Sequence, residues 1–282
     1  MKYNCKIINS NKLSEPTVTK NSPQDSDDKT KILAEINDQK IIAQDGEISL
    51  INAKGISQWK SPLKIEGKPN KLFVSQDRLL LTTFSNDYHE WGFLGPAFLI
   101  DTNDGSIIAE LRGETGAALK NGSFLLGLEG YDCFNTWLYD RNGKRIQEWR
   151  SYGHYIVGKD DDIRVLEKDR QIPTKSRVVR LKLDGQIEKG PVLKDAQISD
   201  PLVLDDNALL FVDCGTIRII DFHLKDQYKE VLIDVDPRDS WRFHSHIRFK
   251  GDDVIVDICE RPEDSSIEYT HHSWLLKLSC AQ

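Results

Sequence analysis

His244 and His246 stand two positions apart and form the strongest chemical pattern in the chain. On a strand, residues i and i+2 share a face, so the pair sets two imidazoles side by side at a workable metal-ligand spacing. Asp257, Glu260, His271 or His272 would complete the ligand set. Such a centre would activate water in a metal-dependent hydrolase or lyase, with His244, His246 and His271 in an axial pocket as the metal-bearing alternative. The opposing reading makes the same histidines hydrogen-bonded core or rim residues. Nucleophilic chemistry has less behind it. There is no G-x-S-x-G elbow, no H-E-x-x-H and no G-x-x-x-x-G-K-[ST] loop. Cys133 lies beside Asp132, with His154 the nearest histidine, and reads as a structural thiol. The carboxylate runs Asp160 to Asp162, Asp205-Asp206 and Asp252-Asp253 suit solvated turns. Asp101 to Gly105 comes nearest a calcium loop and lacks its distal Glu. The expectation is a chain without catalytic residues, metal or cofactor.

Whatever these residues do, a scaffold must position them. The chain has 282 residues, 39% hydrophobic and 29% charged, an ordinary globular balance that excludes wholesale disorder. With 38 Lys+Arg against 45 Asp+Glu it carries a formal charge of −7, which argues against nucleic acid as a partner. No apolar run is long enough for a spanning helix, and the first residues lack the apolar core of a secretory signal, so a cytoplasmic protein with no membrane partner is expected. Its 5 cysteines include no C-x-x-C pair and read as reduced thiols.

Between Lys31 and Cys280 the apolar runs are short, rich in Ile, Val, Leu and Phe, and punctuated by Gly, Asn or Asp. That is the pattern of strands. A unit recurs: a strand ending in Asp or Asn, a tight Gly turn, then a second short strand. It is seen at Leu50 to Trp59, Leu99 to Ile108, Leu138 to Ile146 and Leu181 to Ile187, and without glycine at Ile219 to Asp226. A period of roughly 40 to 45 residues holding four strands is that of a propeller blade. The expected fold is therefore all-β: a single β-propeller of about six four-stranded blades, near 31–60, 70–112, 117–150, 154–190, 198–234 and 243–280. The last group lacks an outer strand. Tyr3, Cys5 and Ile7 alternate with polar residues, so 1–9 is assigned as the strand closing the ring, 10–30 as a flexible linker and 31–282 as the propeller.

The spacing of Asn52, Gly55 and Trp59 resembles the tryptophan-docking repeat of the quinoprotein-type (PQQ-like) β-propellers. Asp140, Gly143 and Trp149 match with two extra residues before the Trp, and Asp101 and Gly105 match with an aliphatic residue at the Trp position. In that family the Asp closes the turn, the Gly bends it and the Trp docks between neighbouring blades. The resemblance implies the fold; no active site or quinone cofactor is carried over.

In a four-stranded blade the second-to-third loops lie on one face of the disc, opposite the first-to-second and third-to-fourth turns. Here those loops read as long and varied: Ser85 to Gly95, Glu129 to Asn135, Glu167 to Ser176 and Glu260 to His272. Loops presented by a rigid scaffold carry function, so this face is the expected working surface. Tyr88, His89, Trp91 and Tyr131 would supply the anchors. Glu90, Asp132, Glu260, Glu263, Asp264 and Glu268, with Arg261 and His271 among them, would set charge complementarity. Trp91 and Phe93 folded under to cap the mouth is the plainer alternative. The function expected is a non-catalytic binding protein, an immunity or antitoxin-like protein or an adaptor, that blocks a basic toxin or effector.

Overall fold

The computed structural model describes residues 3–13, 30–36, 38–89, 92–130, 133–168, 172, 175–195, 198, 201–204, 207–262 and 270–280. The strands are β1 (Tyr3–Leu13), β2 (Thr30–Ile36), β3 (Gln39–Gln44), β4 (Glu47–Asn52), β5 (Leu63–Lys64), β6 (Lys68–Ser75), β7 (Arg78–His89), β8 (Gly92–Asp101), β9 (Ile107–Arg112), β10 (Thr115–Ala118), β11 (Phe124–Gly130) and β12 (Cys133–Tyr139). They continue as β13 (Arg145–Trp149), β14 (His154–Val157), β15 (Ile163–Lys168), β16 (Ser176–Leu181), β17 (Ile187–Leu193), β18 (Leu202–Val203), β19 (Leu209–Asp213), β20 (Thr216–Ile220), β21 (Asp226–Val231), β22 (Phe243–Lys250), β23 (Asp253–Glu260) and β24 (Thr270–Cys280). Helical structure among the described residues is confined to two 3-10 turns, Lys159–Asp161 and Pro237–Arg242.

These strands form six four-stranded antiparallel sheets, β2 to β5, β6 to β9, β10 to β13, β14 to β17, β18 to β21, and β22-β23-β24-β1, so the chain has the strand complement of a six-bladed β-propeller. The N-terminal strand supplies the fourth strand of the last blade, pairing from Tyr3 opposite Cys280 to Leu13 opposite His271. It runs past the Asn9 limit expected from alternation, because a polar stretch such as Ser10 to Lys12 loses nothing by backbone pairing at a solvated edge. Residues 14–29 of the expected linker lie outside the described residues.

Two compact units divide the chain, one of Asn21–Ile163 with Leu181–Gln186, the other of Met1–Lys20, Arg164–Arg180 and Ile187–Gln282. In the first, Ile41, Ile48, Leu50 and Trp59 of the first blade bury against Leu79, Leu81, Phe98 and Ile100 of the second. Leu80, Ala97 and Leu99 of the second meet Phe124 and Leu126 of the third. In the other unit, Leu210, Val212, Ile217 and Ile219 of the fifth blade close on Ile247, Val254, Val256, Ile258, Trp274 and Leu276 of the sixth.

The recurring turn works as its residue types dictate. Asn52 Oδ1 accepts from the amides of Lys54 (2.9 Å) and Ile56 (3.1 Å), and Asp140 Oδ1 accepts from Asn142 (2.9 Å) and Lys144 (2.8 Å). Gly55 and Gly143 take φ of +76° and +78°, the left-handed region that favours glycine. Trp59 then crosses to the next blade, where its Nε1 donates to the carbonyl of Thr102 (2.8 Å) and its ring covers Gly105 so closely that a Cβ there would stand 2.6 Å away. Trp149 repeats the move, donating to the carbonyl of Lys182 (2.9 Å). Between them Ala109 fills the same place against Gly143. Trp241 does not join them: it is 58% exposed on the Pro237–Arg242 turn.

Candidate functional site

Ser85 to His89 and Gly92 to Gly95 belong to strands and not to a loop. β7 and β8 run on past Thr82, pairing at Phe84 opposite Leu94 and again at His89 opposite Gly92, with register shifts on either side of Phe84. Polar Ser85, Asn86 and Asp87 hide this from a hydrophobic count, yet an extended backbone needs no apolar side chain. The ribbon bends at its base because glycines leave room: a Cβ on Gly95 would stand 2.2 Å from Thr83 Oγ1, and one on Gly67 2.4 Å from the Phe84 carbonyl oxygen. Thr83 Oγ1 fastens the base by donating to the Pro96 carbonyl (2.7 Å). Beyond it Tyr88 is 69% and Phe93 54% exposed, their rings edge-on with centroids 5.4 Å apart and planes at 81°. Phe84 is exposed as well. Phe93 therefore does not fold under. Glu90 and Trp91 lie outside the described residues, and of His89 only the backbone is described.

The third blade carries the same device in shorter form, with Gly130 opposite Cys133; Tyr131 and Asp132 lie outside the described residues. Its base is held by phenols. Tyr152 donates to Glu114 Oε1 (2.6 Å), which also accepts from the Glu129 amide (3.0 Å). Thr136 Oγ1 lies 2.7 Å from the Tyr155 hydroxyl and donates to the Ser151 carbonyl (2.6 Å). Burial, and then the Glu114 carboxylate, push the Tyr152 phenol far above its ordinary range; burial does the same to Tyr155. Both phenols stay protonated donors, which makes them braces.

His244 and His246 do share a face of β22 and both are exposed. Across the sheet they oppose Cys259 and Asp257, and Cys259 in turn opposes the exposed His271. Asp257 is occupied at home by Arg248 and by Ser273 Oγ (2.5 Å), while His272 stacks on Trp274 on the other side of the strand. Among the described residues no three His, Cys, Asp or Glu side chains gather to hold a metal ion. Glu260 is half-buried in an ion pair with Arg242 (3.2 Å), and the Arg261 amide donates to the Arg242 carbonyl (2.7 Å), so both are clasped to the Pro237–Arg242 turn. Glu263, Asp264 and Glu268 lie outside the described residues.

Sequence reasoning missed a cavity of about 200 Å³ between the fifth and sixth blades, lined by Asp195, Ile198, Val212, Cys214, Gly215, Phe243, His244, Ser245 and Ile258. Asp213-Cys214-Gly215-Thr216 is the tight turn joining β19 to β20, with Cys214 at φ +51° and Gly215 at +72°. Burial, then the charges of Asp195 and Asp213, push the Cys214 thiol up to about 11. Its lining comes from residues far apart in sequence, so only the D-C-G turn was a local clue.

No family model and no curated protein matches this chain. Solved structures do. Hsv2 of Kluyveromyces lactis aligns over 89% of this chain and 84% of its own, at 11% identity and a TM-score of 0.53. A form of Hsv2 with loop 6CD replaced by a Gly-Ser linker gives 0.55 at 12% identity, covering 89% and 83%. Apo AztD from Citrobacter koseri gives 0.52 at 10% identity, covering 89% and 75%. At these identities the likeness is one of fold: the chain is a β-propeller protein. No described helix is long and apolar enough to cross a membrane.

Proposed function

We propose that this propeller is a non-catalytic binding protein that grips a protein partner at the ends of the sheets where second and third strands join. The observation that carries the reading is the β7–β8 ribbon, which presents Tyr88 and Phe93 to solvent, their rings edge-on, between the paired positions Phe84–Leu94 and His89–Gly92. Aromatic side chains held in place lose little entropy on binding and dominate contact energies. The overall charge of −7 supports a basic partner, and blockade of a toxin or effector, in the manner of an immunity protein, is the specific role we infer. Free thiols at Cys214 and Cys259 support a cytoplasmic setting. The Trp59 and Trp149 contacts support repeats of the quinoprotein type, used here as scaffold. The test is co-purification with the product of a neighbouring gene. Tyr88→Ala with Phe93→Ala should weaken binding at least tenfold while leaving the unfolding midpoint in place; undiminished binding overturns the reading.

A further inference from the structure

Two ring pairs in this fold have nearly the same geometry, and one of them holds a cation. In the unit that contains the fifth blade, Phe222 and His223 meet edge-on, their centroids 5.5 Å apart and their planes at 79°. The Arg180 guanidinium lies 3.6 Å from the Phe222 centroid, with the Glu188 carboxylate 3.9 Å from its Nη1. In the other unit Tyr88 and Phe93 meet at 5.4 Å and 81°. Here the rings are 69% and 54% exposed, and among the described residues no cation lies over either. A ring face is the negative pole of the aromatic quadrupole, so the faces left open attract positive charge. Asp87, next to Tyr88 in the chain, is exposed and joins no ion pair among the described residues, so its charge adds to that attraction. Lys68, opposite Phe84, stands at the base of the ribbon.

The kind of cation follows from the exposure. An ammonium holds its water strongly and recovers little from rings that stay half in solvent. A guanidinium is planar, weakly hydrated and suited to a ring face, as the approach of Arg180 to Phe222 shows. A carboxylate would be repelled by the ring faces and by Asp87 alike. We propose that the Tyr88 and Phe93 pair receives an arginine side chain of the partner protein, its guanidinium against a ring face. This rests on the reading of the chain as a binder of a basic protein through the β7–β8 ribbon, and it names the group on that partner that is recognised.

The test needs no partner. A failed titration beside loss of partner binding in Tyr88→Ala with Phe93→Ala would strike this proposal and leave the binding reading standing. The full chain, its aromatic rings 13C-labelled, is titrated with N-acetyl-arginine methylamide, with the citrulline and lysine counterparts and with free arginine, following the Tyr88 and Phe93 ring signals by NMR. The expected result is saturable shifts of both rings with the arginine probe, binding about fivefold tighter than the neutral citrulline probe. Tyr88→Leu, which keeps an apolar side chain and removes the ring, should lose that preference. Equal binding of the arginine and citrulline probes by the unaltered chain overturns the proposal without recourse to any variant. So does a lysine probe that binds as well as the arginine probe, a preference that survives Tyr88→Leu, or absence of shifts with any probe. Tighter binding of free arginine than of the blocked probe also overturns it, by assigning the rings to the free amino acid.

Discussion

Leu224 holds, at the fifth turn, the left-handed position that glycine holds at the others, and it faces Gly190. Its φ is +60°, its amide donates to the Asp221 carbonyl (2.9 Å), and Asp221 Oδ1 caps the turn through His223 and Lys225. A Cβ placed on Gly190 would stand 3.2 Å from the Leu224 Cβ and 2.8 Å from the Val178 carbonyl oxygen. The roles are thus exchanged at this junction: at Gly105 and Gly143 a Trp or Ala of one blade fills the space above a turn glycine of the next, and here the turn residue fills the space above a glycine of the blade before.

That exchange predicts the sign of two substitutions. Leu224→Gly relieves a left-handed backbone costing about 1–2 kcal/mol but removes a buried leucine, a loss of about 2–5 kcal/mol. The net should be destabilisation by ~2 kcal/mol in denaturant unfolding. Gly190→Ala should destabilise by about 1–3 kcal/mol, since a carbonyl oxygen cannot step aside as a flexible side chain can. Stabilisation by either would refute the exchange.

The Trp59 contact on Gly105 makes a second pair. Gly105→Ala adds a methyl against the indole at a φ of +79° and should cost about 2–3 kcal/mol. Trp59→Ala removes both the indole and its hydrogen bond to Thr102. In the double variant the clash is gone, so the combined loss should fall short of the sum. Strict additivity would mean the two residues do not meet.

Blade order and turn positions were legible in the sequence because the Asp/Asn and Gly of each turn have one local physical reason to be there. The glycine-free fifth turn was legible as well, though Gly190, which makes Leu224 tolerable there, was not, since that compensation is tertiary. The β7–β8 ribbon was misread as a loop because pairing is a backbone property and its outer residues are polar. Of the cavity only the D-C-G turn left a trace, since nothing local marks residues that meet only when two sheets pack.

Asp226 gives a pH dependence. Burial raises its carboxyl, but hydrogen bonds from Lys229 and Arg218 outweigh this and leave it below the ordinary range. A carboxyl lowered in the folded state stabilises above its unfolded value, about 4, and that contribution is lost as pH falls through the folded value. Unfolding midpoints of the unaltered chain should therefore drop on acidification below about pH 4 more steeply than those of Asp226→Asn. Parallel curves would remove Asp226 from the account.

Cys214 should be a sluggish thiol. With its ionisation pushed up to about 11 by burial and then by Asp195, alkylation at pH 8 should run about 100-fold slower than for an ordinary cysteine. Asp195→Asn should move the rate profile toward lower pH. Ordinary reactivity, or a profile indifferent to Asp195, would contradict the burial and the neighbouring charge assigned to this thiol.

The β7–β8 ribbon as the partner-binding element is most directly tested by a photo-crosslinking amino acid at Tyr88, with the same group at Ile56 on a third-to-fourth turn as the reference. The account predicts one dominant cross-linked product from position 88, containing a basic protein that also co-purifies with the unaltered chain, and none from position 56. Equal products from both positions, or none from position 88 while the partner remains bound, would contradict it.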